Sequence, residues 1–317
     1  MENATEQLIE YECRDGVGLN LTRDELRLIF EPFVSSHAQT SDPAWKQQVF
    51  DRKLKIARKY VRKLALGWVP GYQRNSELII DEYSGVWTDT RYENYSLEVP
   101  PPRFSPWEWN GGQMLASAFG GTRVRQLLLA KAIEQLAPKK VLEVGCGNGI
   151  NLLMLAGRFP DIEFTGVELT KEGHQAALTF QKKDTFPESM RSYAPQPLLD
   201  DTAFRRIRFL QGSAESLPLA DNEVDLVYTV LALEQMERIR NKALSEVARV
   251  AKKNTVMIEP FRDVNRCGWE RANVIRRNYF RGNIQDLPNY GLKPVTVTSD
   301  FPQEVFLKAC AVVSDSN

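Results

Sequence analysis

Downstream of Thr122 the chain alternates short apolar runs with longer segments whose apolar residues recur every three or four positions. Val124, Leu127, Leu128, Ala132 and Leu136 share one side of a helix that Thr122 can cap and Pro138 stops. A short apolar strand, 140–144, comes next and runs into a glycine-rich turn, followed by a helix over 150–159 that ends at Pro160. The pattern then repeats: a strand over 163–168, a helix through His174 and Phe180, a polar insertion over 183–203, and strands over 207–211 and 224–229. A helix with Ile239, Ala243, Val247 and Ala251 on one face leads to a strand over 255–259. Strands alternating with helices at this spacing predict parallel strands joined by right-handed crossovers. At the carboxyl end, 293–298 and 305–313 read as two strands joined by an Asp300-Phe301-Pro302 turn with no helix between them, an antiparallel pair at the sheet edge. The expected fold is therefore α/β, a Rossmann-like, seven-stranded, mostly parallel sheet with an antiparallel C-terminal hairpin, preceded by a helical and irregular N-terminal extension.

That extension covers residues 1–108, and the character of the chain changes near Pro100-Pro101-Pro102, so the main domain is expected over 109–317. The clearest early element is a helix from Pro43 to about Leu66, with Phe50, Leu54, Ala57, Val61 and Leu64 on one apolar face. Its remaining surface is basic: eight Lys and Arg stand against the single acid Asp51 between Lys46 and Lys63, a local net charge of +7. A solvated helix face outweighs a phosphate-binding surface as the reading. Residues 67–109 are rich in aromatic and proline residues, among them Trp68-Val-Pro-Gly-Tyr72, Trp87, Tyr92, Tyr95, Trp107 and Trp109, for which loop packing is the default role.

Composition narrows the class. Lys plus Arg equals Asp plus Glu at 41 each, so the molecule has no overall field to recruit nucleic acid or a membrane. The amino terminus has no basic segment followed by an apolar run, and no stretch is apolar enough for a membrane helix, which predicts a cytoplasmic protein. Four scattered cysteines, Cys13, Cys146, Cys267 and Cys310, and two histidines argue against a disulfide framework or a metal site.

Candidate chemistry gathers at the first strand end. Gly145, Gly147 and Gly149 let the backbone turn sharply and approach a ligand closely, and the following helix offers its first amides. Two acids sharpen this turn. Glu143, two residues before Gly145, suits a cationic amino-acid moiety better than a pyrophosphate, and Gly147 and Gly149 are two apart where the dinucleotide fingerprint spaces its last glycines by three. Glu168 ends the second strand, where a carboxylate can accept both hydroxyls of a ribose.

With these residues in place, the stretch from Trp109 to Val313 resembles the class I S-adenosylmethionine-dependent methyltransferases, with a methyltransferase-11-like core. Val141-Leu-Glu-Val-Gly-Cys-Gly-Asn-Gly149 is similar to the first motif, Gly166-Val-Glu168-Leu169 to the ribose-binding strand end, Gly212-Ser-Ala-Glu-Ser-Leu-Pro218 to the adenine-edge segment, and Asp225-Leu-Val-Tyr-Thr229 to the fourth-strand motif. The resemblance implies S-adenosyl-L-methionine as cofactor, held by Glu143, Gly145, Cys146, Gly147, Asn148, Gly149, Glu168, Leu169, Ser213, Ala214, Glu215 and Thr229. Ser213 stands where many members have Asp, which weakens or re-aims its contact. Upstream, Trp109, Gly111, Gly112 and Arg123 are candidates to hold the methionine carboxylate or cover the cofactor, and Arg123 serves equally well as a surface helix cation.

Methyl transfer chiefly needs alignment and exclusion of water, and a base only where the acceptor proton must leave. The family's histidine-bearing segment after the fourth strand is here Leu231-Ala-Leu-Glu234-Gln235-Met236, so Glu234 and Gln235 become the catalytic candidates. His174 reads as a surface or cofactor-rim residue. The leading expectation is methyl transfer to O or N of a small-molecule acceptor, with residues up to about 108 and the insertion after Phe180 forming a lid. RNA or protein as acceptor, with nucleic acid as partner, stays open, as does a cofactor-binding chain without transferase activity. Assembly as a homodimer is open too.

Overall fold

The computed structural model describes residues 19, 21–39, 42–69, 76–88 and 91–316. Cys13 and the Pro70-Gly71-Tyr72 part of the aromatic segment lie outside these residues. Helix α1 (Arg23–Phe30) opens with a capping box, in which the Thr22 hydroxyl accepts the Glu25 amide and the Glu25 carboxylate accepts the Thr22 amide. It buries Leu26, Ile29 and Phe30. Strand β1 (Val34–Ala38) follows, then α2 (Pro43–Leu66), α3 (Ser76–Thr88), and strands β2 (Ser105–Trp109) and β3 (Gly112–Ala116). Asn110 and Gly111 join β2 to β3 with φ of 49° and 74°, the left-handed pair that a tight two-residue hairpin requires.

The main layer starts with α4 (Ala118–Leu136) and β4 (Lys140–Val144), followed by α5 (Ile150–Arg158), β5 (Glu163–Glu168), α6 (Lys171–Gln181), α7 (Glu188–Tyr193) and β6 (Arg208–Gln211). It continues through β7 (Val224–Val230), α8 (Arg240–Val250), β8 (Ala251–Glu259), α9 (Gly268–Arg277), β9 (Leu292–Thr298), β10 (Gln303–Glu304) and β11 (Cys310–Ser316). Seven strands form the expected sheet, in the order β6-β5-β4-β7-β8-β11-β9. All neighbours pair in parallel except β11, which runs antiparallel to both β8 and β9. Val141, Leu142 and Val144 of β4 are all buried because helices cover both faces of the sheet, so a central strand reads as a continuous apolar run.

Four expectations change. Helix α4 begins a turn before Thr122, capped by the Ser117 hydroxyl on the Phe119 amide; Gly120 and Gly121 are what let it pass Phe33 and Trp107, since a Cβ at either would lie 2.7 or 2.4 Å from those side chains. The last strand begins at Cys310 rather than 305, because Gln303 and Glu304 leave the main sheet and pair with Glu108 and Trp107 of β2. This builds a second, antiparallel sheet in the order β1-β3-β2-β10. The boundary expected at 108 falls inside β2, and Leu26, Ile29, Phe30 and Phe33 share one hydrophobic cluster with α4, α5 and Val141. The polar insertion after Phe180 is not a lid: Phe186, Met190 and Tyr193 are buried, and Phe186 and Phe204 stack edge-on against Phe180.

Helix α2 spans the predicted residues but is turned the other way. Its apolar stripe faces outward, with Phe50 61 %, Val61 63 % and Leu64 63 % exposed, while Trp45 and Ile56 are buried on the opposite side. That side carries Arg52, Lys59 and Lys63 and rests on α9, with the Lys53 ammonium 5.9 Å from the centre of the Trp269 ring. Arg52, Lys53 and Lys63 are half-buried there, while Lys46, Lys55, Arg58, Lys59 and Arg62 stay exposed, so most of the basic surface remains solvated. No helix among the described residues is long and apolar enough to cross a membrane.

Candidate functional site

Beyond β4 the chain turns through Gly145 and Gly147 with φ of 76° and 54°, a region that side chains disfavour. The Gly145 and Cys146 amides both donate to the Val167 carbonyl, at 2.8 and 3.1 Å, and so fasten the turn to β5. Space is as restrictive as conformation. A Cβ at Gly145 would lie 2.7 Å from Cβ of Ala232, and one at Gly147 would lie 2.5 Å from the Trp87 ring. The Trp87 indole therefore lies over the glycine turn, with its Nε1 buried and unpartnered. It also bears on α6, and Ser84 of the same helix donates to Glu172 at 2.7 Å. Helix α3 covers this cleft, a contact for which an isolated Trp in an aromatic-rich segment gives no specific signal.

Glu168 ends β5 under this roof, with Oε1 accepting the Thr170 amide and hydroxyl at 2.9 and 2.6 Å and Oε2 accepting the Gly147 amide at 2.9 Å. Oε1 already takes two donors, whereas Oε2 keeps accepting capacity for a further one, so the carboxylate is aimed and still able to take a ribose hydroxyl. Glu143 is engaged by its own neighbours. Its carboxylate accepts from Asn151 at 2.7 Å and from Tyr228 at 3.1 Å, and Gln126 extends the network to Asn151 at 3.2 Å. Burial raises Glu143 to about 8, and the charge of Glu168 adds to that rise. Its carboxyl is therefore held above the ordinary carboxylate range within a buried network.

A narrow cleft, partly open to solvent, runs from Gly145 past Leu169, Ser213 and Ala214 to Gln235 and Met236. It thereby joins the glycine turn, the strand end after Glu168, the adenine-edge segment and the loop after β7. Ser213 accepts the Glu215 amide at 3.1 Å, whereas the Glu215 carboxylate turns away to Lys242 at 3.1 Å. Thr229 is fully buried beside Glu259 and does not line the cleft. Cys146 is buried with its thiol pushed up well above the usual range, and Asn148 is held by Tyr92, whose hydroxyl donates to the Asn148 carbonyl at 2.8 Å. Gly149 is the N-cap of α5. These residues fit S-adenosylmethionine: an apolar slot for a flat base, a strand-end carboxylate for a ribose, and a turn whose glycines add no side chains of their own.

Other candidates lie elsewhere. Arg123 is buried and donates to the carbonyls of Ile29, Tyr193 and Ala194 at 3.1, 2.7 and 3.3 Å, so it ties α1 and α7 to α4 and has no donors turned to the cleft. Trp109 donates to Asp300 at 3.3 Å, and Gly111 and Gly112 belong to the β2–β3 hairpin. His174 faces the Phe209 carbonyl of β6 at 3.3 Å.

The loop after β7 folds around a residue that no motif named. Glu259, fully buried at the end of β8, accepts the amides of Ala232, Leu233 and Glu234 at 3.0, 3.1 and 3.3 Å. Burial, and then the charge of Glu234, push Glu259 to about 8. Glu234 is itself buried. Gln235 donates to its Oε1 at 2.7 Å, while Oε2 has no partner. Burial raises Glu234 to about 7, opposed by Gln235, Arg277 and Arg125. Arg125 was hidden to sequence reasoning inside an apolar helix, and Glu304 inside a two-residue strand that pairs out of its own sheet.

Comparison with known proteins agrees with this geometry. Residues 142–258 match the family described as a methyltransferase domain. The uncharacterized methyltransferase YcgJ of Bacillus subtilis is 31% identical over 127 residues, covering 40% of this chain and 42% of its own. The malonyl-(acyl-carrier protein) O-methyltransferase of Methylococcus capsulatus is 28% identical over 166 residues, covering 48% and 53%. The chain thus spans about half the length of the curated relatives it matches. Among solved structures, a putative O-methyltransferase of Nostoc punctiforme is 14% identical with a TM-score of 0.46, covering 62% of this chain and 57% of its own. Motif order, strand order and the matched residues together identify the core of this chain as a class I S-adenosylmethionine-dependent methyltransferase domain, with S-adenosylmethionine as its cofactor.

Proposed function

We propose that this chain transfers a methyl group to an oxygen or nitrogen of a small-molecule acceptor, with Glu234 receiving the acceptor's proton. The observation that carries this reading is the Glu234 carboxylate itself: buried, held on one oxygen by Gln235, unpartnered on the other, and set in a loop whose Ala232 lies against Gly145. A carboxyl raised to about 7 is matched to proton transfer near neutral pH. Glu259 holds that loop in place through three backbone amides. The glycine turn, Glu168, Leu169, Ser213 and Ala214 would hold S-adenosylmethionine, which when bound supplies a sulfonium methyl to an in-line lone pair and leaves as S-adenosylhomocysteine. Gln235 orients Glu234 and lines the cleft, while Trp87 over the glycine turn excludes water from it. Helix α3 supplies this cover through Trp87. The O-methyltransferase relative supports oxygen as the acceptor atom at the level of chemistry only.

The described cysteines, Cys146, Cys267 and Cys310, are unpaired, which suits the cytoplasm. Incubating the protein with methyl-labelled cofactor and a size-fractionated cell extract tests the reading. Label entering the low-mass fraction is the expected result. Label confined to RNA or protein, or no transfer at all, would refute it.

A further inference from the structure

The faces that α2 and α9 turn to each other carry charge of one sign. Arg52, Lys59 and Lys63 stand on α2, and Arg276 and Arg277 at the end of α9. Burial and then the charge of Arg277 disfavour the charged form of Arg52. Burial followed by Arg276 does the same to Lys59, and burial followed by Arg281 to Lys63. Arg276 is lowered to about 10 by burial, then by Arg277 and Arg52. Arg52, Lys63, Arg276 and Arg277 are half-buried, and Lys59 is exposed.

Acids balance them only in part. Glu304 acts on Arg52, Glu82 on Lys59, and Tyr279, Glu234 and Glu304 together raise Arg277, while burial favours the neutral form of Glu234 and Glu304. Among the described residues, no ion pair within 4.0 Å joins Arg52, Arg276 or Arg277 to a carboxylate. Arg277 donates instead to the Tyr279 hydroxyl. Arg276 keeps Nε and Nη2 buried without a partner, Arg277 keeps Nε, and Arg125 keeps Nε. Buried guanidinium N–H groups are ordinarily satisfied, and their planar fork matches the oxygens of a carboxylate or a phosphate.

The cluster also has a direction. Arg277 and Arg125 act on Glu234, and Arg52, Arg125 and Arg277 all act on Glu304, so the cations extend from the proposed base out to the α2–α9 seam. We infer that the acceptor carries a carboxylate or phosphate group, and that Arg52, Arg276 and Arg277 form the subsite holding it while its reacting atom faces Glu234. This rests on the methyl-transfer reading of the cleft.

The test titrates the full chain with inorganic phosphate and, separately, with succinate at constant ionic strength, by calorimetry and thermal melting, with and without S-adenosylhomocysteine. One of the two anions binds saturably, one per chain, and raises the melting temperature; which one does so names the group. Arg276→Gln weakens that binding by about tenfold or more, as loss of a charge-assisted pair should, and Arg52→Gln on the other helix does likewise. Both variants keep wild-type affinity for S-adenosylhomocysteine. Without added anion Arg276→Gln melts no lower than wild type, because it removes an unpartnered buried charge; a purely structural guanidinium would lower the melting temperature when lost. Absence of saturable binding by both anions, or wild-type anion affinity in both variants, overturns the subsite. So does a short single-stranded RNA that binds more tightly than either anion with steep salt dependence. If S-adenosylhomocysteine fails to bind wild type, the cofactor reading falls, and the anion titration still reads the subsite.

Discussion

Glu234→Gln separates a buried proton acceptor from a carboxylate that merely pairs with its neighbours. Glu234 is 7% exposed, and burial raises it from an ordinary 4.5 to about 7 although Gln235 donates to it. A raised acid stabilises the fold fully below its unfolded value, and that contribution is lost as pH climbs through the folded value. Wild type therefore loses stability from this group between roughly pH 4.5 and 7, by about 3 kcal/mol in all. Glutamine keeps the shape and does not titrate. Urea denaturation of both proteins between pH 5 and pH 8.5 should show the variant gaining on wild type by about 2–3 kcal/mol across that range. Glu259 acts in the same direction, since losing its charged neighbour eases its own ionisation in the variant. The rate of methyl transfer, measured with the acceptor found by labelling, should rise with pH to a plateau near 7 in wild type. In Glu234→Gln it should fall about 100-fold or more and lose that limb. A stability difference that stays constant with pH would refute the reasoning, because it would mean that Glu234 ionises in the fold as easily as in water.

Further expectations concern the cofactor cleft and its frame. Gly147→Val places a β-branched side chain at φ 54° and 2.5 Å from the Trp87 ring, costing about 2–4 kcal/mol, and with Glu168→Ala it should abolish S-adenosylhomocysteine binding by calorimetry. Unchanged affinity in both would remove the site. Trp87→Ala uncovers the glycine turn and should speed S-adenosylhomocysteine association in stopped flow, whereas slower association would show the indole to be a platform for the ligand. Arg123→Met strips donors from three buried carbonyls and should cost about 2–4 kcal/mol in urea melts while cofactor affinity stays the same. A large loss of affinity in that variant would restore Arg123 to the cofactor site.

What the sequence made legible follows from where local rules dominate. The parallel core is readable because each strand is a dense apolar run and each crossover helix keeps its own periodicity, and the order around β4 then follows from short right-handed connections. Glu168 is readable for the same reason, since the strand end fixes its position. Glu143 shows the limit of such reasoning: spacing placed it correctly at the strand end, but only the fold reveals that Asn151 and Tyr228 claim its carboxylate. Helix α2 shows another. Periodicity finds its extent to the residue, yet the assumption that the apolar stripe faces inward fails: Trp45 and Ile56 are buried, while Phe50, Val61 and Leu64 stay exposed. An amphipathic pattern tells that a helix has two faces; which one is packed depends on a partner distant in sequence.

The same non-local logic explains why the acceptor side carries no motif. Glu304 reaches the cations only because Gln303 and Glu304 pair with β2, and β2 in turn is joined through β3 to β1 near the start of the described chain. The second sheet therefore joins a strand near the start of the described chain to one near its end, and Arg52 from α2, Arg125 from α4 and Arg277 from α9 all act on Glu304 there. None of these residues is close to another in sequence, and each alone is an ordinary charged position. Cofactor binding belongs to a turn that any chain of this fold must make after its first strand, so it leaves a compact signature. Acceptor recognition, as proposed, is built from additions to that fold, and its signature is spatial: unpartnered guanidinium N–H groups gathered from helices distant in sequence.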